Sequence, residues 1–417
     1  MKHMQDNKQW DAVVIGGGAS GMMAAGRAAE RGKSVLLLEK NLELGVKLKI
    51  TGGGRCNITN AEGDEQKLLS HYGKAKSALH SPFSQFGVKD TFLFFESRGL
   101  PLVVQKYSRV FPKTERAIDV FRVLEKYLKQ NKVEIRTNAS VKKIKAEDGH
   151  ISAVIVDDEE IIATSFILAT GGKSHPETGS TGDGFSWLSL LGHTVKEPTP
   201  TIVPLAVQDE WIKKLAGTVL QAARISFFVE KKRKLILKGD IACTHFGLSG
   251  PLILNAAGNV ADLLHEGTVT AQIDTYPQKD IGLLDKIIVS VFDKHKNKSL
   301  KSVWNNIAPI GTGRALLPLL KDIVSDMKVN SITKEQRRQI VDLLKTLPVT
   351  IIGLMGYDRA VVSDGGLSLE EVDTRTMRSK KYANLYITGD LLHINRPSGG
   401  YSLQLCWTTG YVAGNNA

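Results

Sequence analysis

The sequence of 417 residues predicts an α/β protein built on a Rossmann-like, doubly wound sheet. Two short apolar strands, at residues 11–15 and 34–39, flank a glycine-rich turn and an alanine-rich helix. Continuous apolar runs of this kind are typical of parallel strands covered on both faces. Similar strands at residues 161–169 and 384–390 indicate that both ends of the chain contribute to one domain.

The turn after the first strand carries glycines in the pattern that binds a dinucleotide. Gly16, Gly18 and Gly21 satisfy GxGxxG between a strand and a helix. The first glycine permits a tight turn, the second lets backbone approach a pyrophosphate, and the third lets helix and strand pack closely. The first helical residues, Ala19 and Ser20, place the helix N-terminus toward the phosphates.

An acidic residue at the end of the second strand fits the same interpretation. Glu39 is placed to accept hydrogen bonds from ribose hydroxyls, which favours an adenosine moiety without a 2′-phosphate. Lys40, its neighbour, is a further candidate for cofactor binding. Because FAD and NAD share this moiety, the first motif alone does not choose between them.

Glycine-rich segments after two later strands favour FAD, bound non-covalently. An extended FAD needs contacts from both chain ends, whereas a simple NAD enzyme does not. A C-terminal helix starting near residue 400 can direct its N-terminus at the flavin and stabilise negative charge there. The candidate residues are Thr170, Gly171, Gly172, Gly389, Asp390, Gly399, Gly400, Tyr401 and Ser402.

Another glycine cluster, TGGGRCN at residues 51–57, has three explanations. It is a surface turn, a flexible linker, or a segment whose backbone must come very close to a ligand. The third explanation makes cofactor-binding candidates of Gly52, Gly53, Gly54, Arg55, Cys56 and Asn57.

Composition narrows the class of protein. The net charge is +12, but the basic residues are mostly scattered and form no nucleic-acid module, which argues against a nucleic-acid partner. No run of about 18 apolar residues occurs, so no membrane span is expected. The first residues lack the apolar core of a signal peptide. The three cysteines are far apart, so we expect neither disulfides nor a metal site, and a cytoplasmic location.

The sequence resembles a bacterial family of NAD(P)/FAD-dependent oxidoreductases, which includes aminoacetone oxidases and reductases of dehydro bile acids. The resemblance runs from about residue 9 to 414. The matching stretches are GGGASG (16–21), LLLEKN (36–41), TGGGRCNITN (51–60), RVFP (109–112), ATGGKSHPETGSTGDG (169–184), THFGLSGP (244–251), TRTMRSKKYANLYITGD (374–390) and GGYSLQ (399–404).

This resemblance implies an FAD-binding domain of the two-dinucleotide-binding kind, an inserted antiparallel β-barrel-like module and a small helical module. The expected bounds are 1–194 with 358–417 for the FAD-binding domain, 195–277 with 346–357 for the barrel-like insert, and 278–345 for the helical insert.

In the family the TGGGRCN loop runs along the FAD. The resemblance therefore implies that Arg55 and Lys47 offset the pyrophosphate charge and that Asn57 bonds the cofactor or orients the loop. Val141 is a further candidate, and Cys56 is a packing residue unless it has a redox role.

The chain departs from the family pattern at several positions that are expected to lie near the flavin. Asp390 replaces the usual Glu, Asn395 and Arg396 replace an Asp–Gly pair, and Ser402 replaces Asn. His175 stands where Tyr is frequent. These departures affect the expected substrate more than the expected cofactor.

Three side chains are weak catalytic candidates. His245 would line a substrate cavity as acid or base, or would hydrogen-bond a turn. His175 and Tyr401 have the same two kinds of explanation, and Tyr401 is favoured as a residue that packs on the flavin.

The resulting prediction is an FAD-dependent oxidoreductase that transfers a hydride between flavin and a small-molecule substrate. NAD(P)H would act as a transient donor in a reductase, whereas oxygen would take the electrons in an oxidase. The alternatives are an RNA-linked flavoprotein and a redox-inert FAD-binding protein.

Overall fold

The computed structural model describes residues 9–417, in two compact units. The first unit runs to Pro200 and resumes over Ala360–Ala417, and the second covers Thr201–Arg359. Residues 1–8 of the expected FAD-binding domain lie outside the described residues. The finer division of the chain into three domains stays a prediction.

The strands alternate with helices at both ends of the chain and run consecutively in the middle. They are β1 (Trp10–Ile15), β2 (Val35–Leu38), β3 (Thr59–Asn60), β4 (Leu102–Val104), β5 (Arg109–Pro112), β6 (Glu134–Arg136), β7 (Val141–Glu147), β8 (His150–Val156), β9 (Glu159–Ile161), β10 (Ala163–Leu168), β11 (Val195–Thr201), β12 (Leu205–Val207), β13 (Val219–Val229), β14 (Lys232–Cys243), β15 (Gly247–Ser249), β16 (Val269–Asp274), β17 (Leu347–Leu354), β18 (Val362–Leu367), β19 (Val372–Asp373), β20 (Arg378–Ser379) and β21 (Leu385–Ile387).

The α-helices of the described chain are of mixed length. They are α1 (Ala19–Glu30), α2 (Val46–Gly54), α3 (Glu65–Ser70), α4 (Lys76–Gln85), α5 (Val88–Glu96), α6 (Ala117–Gln130), α7 (Asp183–Leu190), α8 (Glu210–Lys214), α9 (Pro251–Glu266), α10 (Ile281–Lys294), α11 (Leu300–Ile307), α12 (Gly313–Leu316), α13 (Lys334–Lys345) and α14 (Tyr401–Asn416).

A seven-stranded sheet, in the order β19-β20-β21-β10-β1-β2-β6, forms the centre of the first unit. Strands β21, β10, β1, β2 and β6 are parallel, and the short β20 and β19 continue the sheet antiparallel at one edge. Strand β2 is buried along its whole length, and β1 nearly so, as expected for central parallel strands. The predicted α/β class is confirmed.

Helices α1 and α14 pack against each other with very little space between their backbones. A Cβ atom added at Gly410 would overlap the carbonyl oxygen of Ser20, and one added at Gly414 would overlap that of Ala24. Only glycine allows this approach, so the C-terminal helix is held directly against the first helix of the chain.

The second unit contains a closed barrel of six antiparallel strands in the order β12-β15-β14-β13-β16-β17. The barrel-like insert predicted from the sequence is therefore confirmed. Helices α10, α11, α12 and α13 lie between β16 and β17 in the chain, where a helical insert was expected. Thr333 and Gln336 form a reciprocal capping box at the start of α13.

No helix within residues 9–417 is long and apolar enough to cross a membrane.

The contact between α1 and α14 leads to the first test. We expect Gly410→Ala to lower the stability of the first unit by about 1–3 kcal/mol, because overpacking a close contact forces backbone shifts. The measurement is the thermal midpoint, together with hydrogen exchange of the peptides that cover α1 and α14.

Gly258→Ala is the matched control. Gly258 lies within α9, and a Cβ atom there would meet nothing within 4 Å. The same substitution should therefore stabilise that helix by up to about 1 kcal/mol. Equal effects of the two variants would contradict the proposed packing.

Candidate functional site

The carboxyl ends of β1 and β10 bring two of the predicted glycine turns together. Gly16 has a φ of +106°, and a Cβ atom there would lie 2.5 Å from the carbonyl oxygen of Ala169. The amide of Ala169 donates to the carbonyl of Ile15 at 2.9 Å. In open α/β sheets, ligands bind in a crevice at such adjacent strand ends.

The N-terminus of α1 is open to an anion. Gly18 is the N-cap residue, and neither a side-chain cap nor an acidic residue occupies the first turn. A Cβ atom at Gly18 would meet nothing within 4 Å. Unpaired N–H groups and the helix dipole therefore face free space, which suits a phosphate. Gly21 differs, because a Cβ atom there would overlap the Gly16 carbonyl oxygen.

Glu39 is buried and fixed by backbone. Its side chain accepts hydrogen bonds from the amides of Gly17 and Asn41, both at 2.8 Å. Each oxygen of a carboxylate can accept a second bond, so capacity for ribose hydroxyls remains. Lys40 is occupied elsewhere, since its Nζ contacts Asp183 Oδ2 at 2.6 Å.

The turn after β21 lies against the start of α1. Gly389 has a φ of +60°, and a Cβ atom there would lie 2.9 Å from Ser20 Oγ. Thr388 Oγ1 donates to the same Oγ at 3.2 Å. A Cβ atom at Gly172 would lie 3.5 Å from Asp390 Cβ. The structure thus brings together the predicted residues that follow β1, β10 and β21.

The TGGGRCN segment forms a left-handed turn at the end of helix α2, a conformation that the sequence did not indicate. Helix α2 is interrupted at Thr51, and the next three glycines are left-handed, with φ values of 58°, 67° and 82°. Cβ atoms at Gly53 and Gly54 would meet nothing within 4 Å. Cys56 is fully buried, and burial raises the pKa of its thiol to about 12, which supports the packing interpretation.

The two cations proposed to offset the pyrophosphate charge, Lys47 and Arg55, lie in different surroundings. Lys47 bonds Ser174 Oγ, and its Nζ lies 3.9 Å from Asp390 Oδ2. Burial lowers the pKa of Lys47. Arg55 instead stacks on Phe111, 4.6 Å from the ring centroid, and is half exposed.

Asn57 and Val141 contact the framework of the unit. Asn57 Oδ1 accepts from the amide of Val110 at 3.2 Å, so it orients the loop on β5. Val141 is buried at the start of β7, two residues after Ala139, whose amide donates to the Glu39 carbonyl at 2.9 Å.

The start of α14 is bonded to the segment that follows TGGGRCN. Asn60 Nδ2 donates to the carbonyl of Gly399 at 3.0 Å, and a Cβ atom at Gly400 would overlap the backbone of Thr59. Gln404 Oε1 accepts from Thr59 Oγ1 at 2.5 Å. As at α1, no side chain caps this helix and no acidic residue lies in its first turn.

Three residues that depart from the family pattern form one network around the buried side chain of Arg396. Arg396 bonds Asp390 Oδ1 through Nη2, and its Nε donates to Ser402 Oγ at 3.1 Å. Its Nη1 donates to the carbonyl of Ile394 at 2.7 Å, and its side chain is 1% exposed. With Lys47, two cations therefore surround one carboxylate, which leaves a positive charge available to an anion.

The three catalytic candidates lie in different surroundings. His175 has a φ of 53°, and its Nδ1 lies 2.7 Å from Glu177 Oε1. Tyr401 is buried beside His71, with ring centroids 4.6 Å apart, and desolvation raises its pKa. His245 belongs to the second unit, exposed in the turn between β14 and β15.

These residues suit a dinucleotide. Both open helix N-termini accept negative charge, and Gly18 leaves the space that a phosphate needs. Thr170 Oγ1 is buried without a hydrogen-bond partner among the described residues. Buried polar atoms are normally hydrogen-bonded, so this hydroxyl is suited to bond a ligand. No group of three or more metal-ligating side chains occurs within residues 9–417.

Sequence reasoning missed the partners of these residues. Ser174 bonds Lys47, and Gln404 joins β3 to α14; both residues lie in the matching stretches 169–184 and 399–404, but neither was singled out as a candidate. Arg396 was noted as a departure, but its carboxylate partner was not predicted.

Comparison with known proteins identifies the family to which this chain belongs. The family described as "HI0933-like protein Rossmann domain" matches residues 10–416. A 3-dehydro-bile acid delta(4,6)-reductase from Clostridium scindens is 30% identical over 411 residues, which are 97% of this chain and 98% of the relative.

Two other similar proteins are more distant. A ribosomal RNA dihydrouridine synthase from Escherichia coli K12 is 25% identical, with 97% of each chain covered. The solved 3-ketosteroid-delta4-(5alpha)-dehydrogenase from Rhodococcus jostii RHA1 has a TM-score of 0.54 and 12% identity, covering 100% of this chain and 98% of its own. At this identity the likeness concerns the fold.

The Arg396 network leads to the second test. We expect Arg396→Met to lower the free energy of unfolding by about 3–5 kcal/mol, because it leaves Asp390 buried without its main partner. The double variant Arg396→Met, Asp390→Asn should lose less free energy of unfolding than the sum of the losses in the two single variants. Denaturant unfolding of the three variants measures this coupling.

Arg122→Met is the control, since the side chain of Arg122 is 62% exposed in its pair with Asp119. It should change stability by less than about 0.5 kcal/mol. Strict additivity of the Arg396 and Asp390 substitutions would contradict the network.

Proposed function

The chain belongs to the HI0933-like protein Rossmann domain family, and on that basis we propose an FAD-dependent oxidoreductase. It would transfer a hydride between flavin and a small organic substrate. The observation that carries this proposal is the convergence of Gly16, Ala169 and Gly389 around the open N-terminus of α1.

We propose that the predicted site residues hold the FAD. The N-terminus of α1 would receive the pyrophosphate, and Glu39 would accept bonds from the adenosine ribose. Thr170 Oγ1 would gain the partner that it lacks within the described residues. Gly53 and Gly54 would let the α2 segment follow the cofactor, because nothing occupies the space beside them.

Bound FAD would supply a two-electron carrier for the reaction. The protein supplies orientation and charge. The N-terminus of α14 presents unpaired N–H groups, and the Arg396–Asp390–Lys47 cluster adds net positive charge, so both would stabilise negative charge on a reduced cofactor. His175, His245 and Tyr401 stay the proposed candidates for proton transfer.

The relatives support one substrate class. The Clostridium scindens relative is named for reducing delta(4,6) bonds of a 3-dehydro-bile acid, and the Escherichia coli relative for making dihydrouridine. Both names describe reduction of a carbon–carbon double bond conjugated with a carbonyl. We therefore propose a reductase of an α,β-unsaturated carbonyl compound, with one hydride and one proton added across the double bond.

NAD(P)H is proposed as a transient donor. The sequence has no second GxGxxG on its own strand–helix unit, so a permanently bound nicotinamide is not expected. The nicotinamide would reduce the flavin and leave before the substrate is reduced.

An RNA substrate is the second candidate function. The ribosomal RNA dihydrouridine synthases of Escherichia coli and Haemophilus influenzae favour it, as does the net charge of +12. The reductive chemistry would be the same, with uracil in RNA in place of a small enone. RNA affinity that falls steeply with salt would support this candidate.

Gly18 provides the sharpest test of the cofactor site. With a φ of −80° and free space beside it, Gly18→Ala should leave the stability of the apoprotein unchanged. The added methyl group should nevertheless weaken FAD binding at least about tenfold, because backbone must approach the pyrophosphate closely. Fluorescence titration of the apoprotein with FAD measures the affinity.

Gly21→Ala is the matched control, since its Cβ atom would overlap the Gly16 carbonyl in the apoprotein. That variant should lose stability before any cofactor is added. Wild-type FAD affinity in Gly18→Ala would place the cofactor elsewhere.

Anaerobic stopped-flow tests the reaction. The FAD-loaded protein is mixed with NADH, NADPH or amines, and the reduced protein is then mixed with 2-cyclohexenone, a 3-oxo-Δ4 steroid or unmodified ribosomal RNA. We expect a nicotinamide to bleach the flavin band and an enone to restore it.

Other outcomes separate the alternatives. If the absorbance of oxidised flavin returns with ribosomal RNA but with neither enone, the RNA-linked candidate is favoured. Bleaching by an amine with rapid recovery in oxygen would indicate an oxidase, and no bleaching by any donor would indicate a redox-inert protein.

A further inference from the structure

A cavity of the first unit lies at the amino end of β21. Its volume is about 740 Å³, within the range of small-molecule sites, and it is formed by α4, the turn between β7 and β8, and residues 372–383. The amide of Ala383 donates to the Gly149 carbonyl at 3.0 Å and fixes two of these segments together. Gly389 and the proposed cofactor site follow the opposite, carboxyl end of this strand.

Four cationic side chains line this cavity: Arg375, Arg378, Lys380 and Lys381. Two of them are paired with carboxylates. Arg375 Nε lies 3.1 Å from Asp373 Oδ1, and Lys381 Nζ lies 3.3 Å from Glu371 Oε1.

The other two cations leave the cavity positively charged. Lys380 Nζ donates to the carbonyl of Glu370 at 2.8 Å, and within the described residues neither Lys380 nor Arg378 has an ion pair. Arg378 also acts electrostatically on the carboxylate of Asp373, but the four cations exceed the two nearby carboxylates. Excess positive charge in a concave surface attracts an anion more strongly than the same charge on a flat face.

The cations lie on a rigid turn. Ser379 is buried, and its Oγ accepts from the amides of Lys381 and Tyr382, both at 3.0 Å. Met377 is also buried, with a φ of +62°. Since the backbone of this turn is already ordered, binding a ligand there would cost little backbone entropy, and the entropy cost would come from the exposed Arg and Lys side chains.

Hydroxyl groups complete the lining. Ser77 and Ser81 are four residues apart on α4, so both lie on the side of the helix that lines the cavity. Guanidinium groups together with hydroxyls match the oxygen atoms of a phosphate, which accept several hydrogen bonds at once.

We propose that this cavity is a second binding site, for a phosphate monoester of nucleotide size. It is separate from the proposed FAD site and does not depend on the proposed oxidoreductase activity. Arg378 and Lys380 would contact the phosphate directly, and Ser77 and Ser81 would bond its remaining oxygen atoms.

Isothermal titration calorimetry with 5′-AMP tests this site. The protein is first saturated with FAD, so that the adenosine-binding end of the first site is filled. We expect 5′-AMP to bind, adenosine to give no signal, and Arg378→Gln to weaken 5′-AMP binding at least about tenfold. Lys380→Gln should weaken it in the same direction.

Arg233→Gln is the matched control, because Arg233 is also exposed but lies on β14 of the second unit. It removes the same charge and should leave 5′-AMP binding unchanged. Equal affinity in wild type and Arg378→Gln would overturn the proposal, and so would binding of a short RNA oligonucleotide without binding of 5′-AMP. If the protein takes up no FAD, the proposed function fails separately, and the proposal for this cavity is still tested by comparing the 5′-AMP affinities of Arg378→Gln and Arg233→Gln.

Discussion

The site of the first unit depends on close contacts at glycine positions. Gly16 lies against the Ala169 carbonyl, Gly410 against the carbonyl of Ser20, and Gly389, with a φ of +60°, beside the Ser20 hydroxyl. These contacts bring β1, β10, the turn after β21 and α14 to the start of one helix, although they come from remote parts of the sequence. Any larger residue would separate these elements and, with them, the groups proposed to hold the cofactor.

Electrostatics complement this geometry. Two helices, α1 and α14, begin without a side-chain cap and without acidic residues in the first turn. Near them Lys47 and Arg396 share the carboxylate of Asp390, so positive charge is in excess. Both N-termini are therefore compatible with the negatively charged cofactor that is proposed here.

The sequence predicted the parts that follow local rules. GxGxxG between a strand and a helix marks the turn at Gly16, and the apolar runs mark the parallel strands. The barrel-like insert was expected from the family resemblance. The Arg396–Asp390–Ser402 network was not predicted, because its bonds depend on how the turn after β21 meets α14. The left-handed turn within TGGGRCN was likewise hidden, since three glycines allow many conformations.

Hydrogen–deuterium exchange with and without FAD tests the central claim most directly. If one FAD is held by segments from remote parts of the chain, added FAD should slow exchange together in residues 16–21, 51–57 and 399–402, at one FAD per chain. Protection confined to a single one of these segments, or no protection at saturating FAD, would contradict the account.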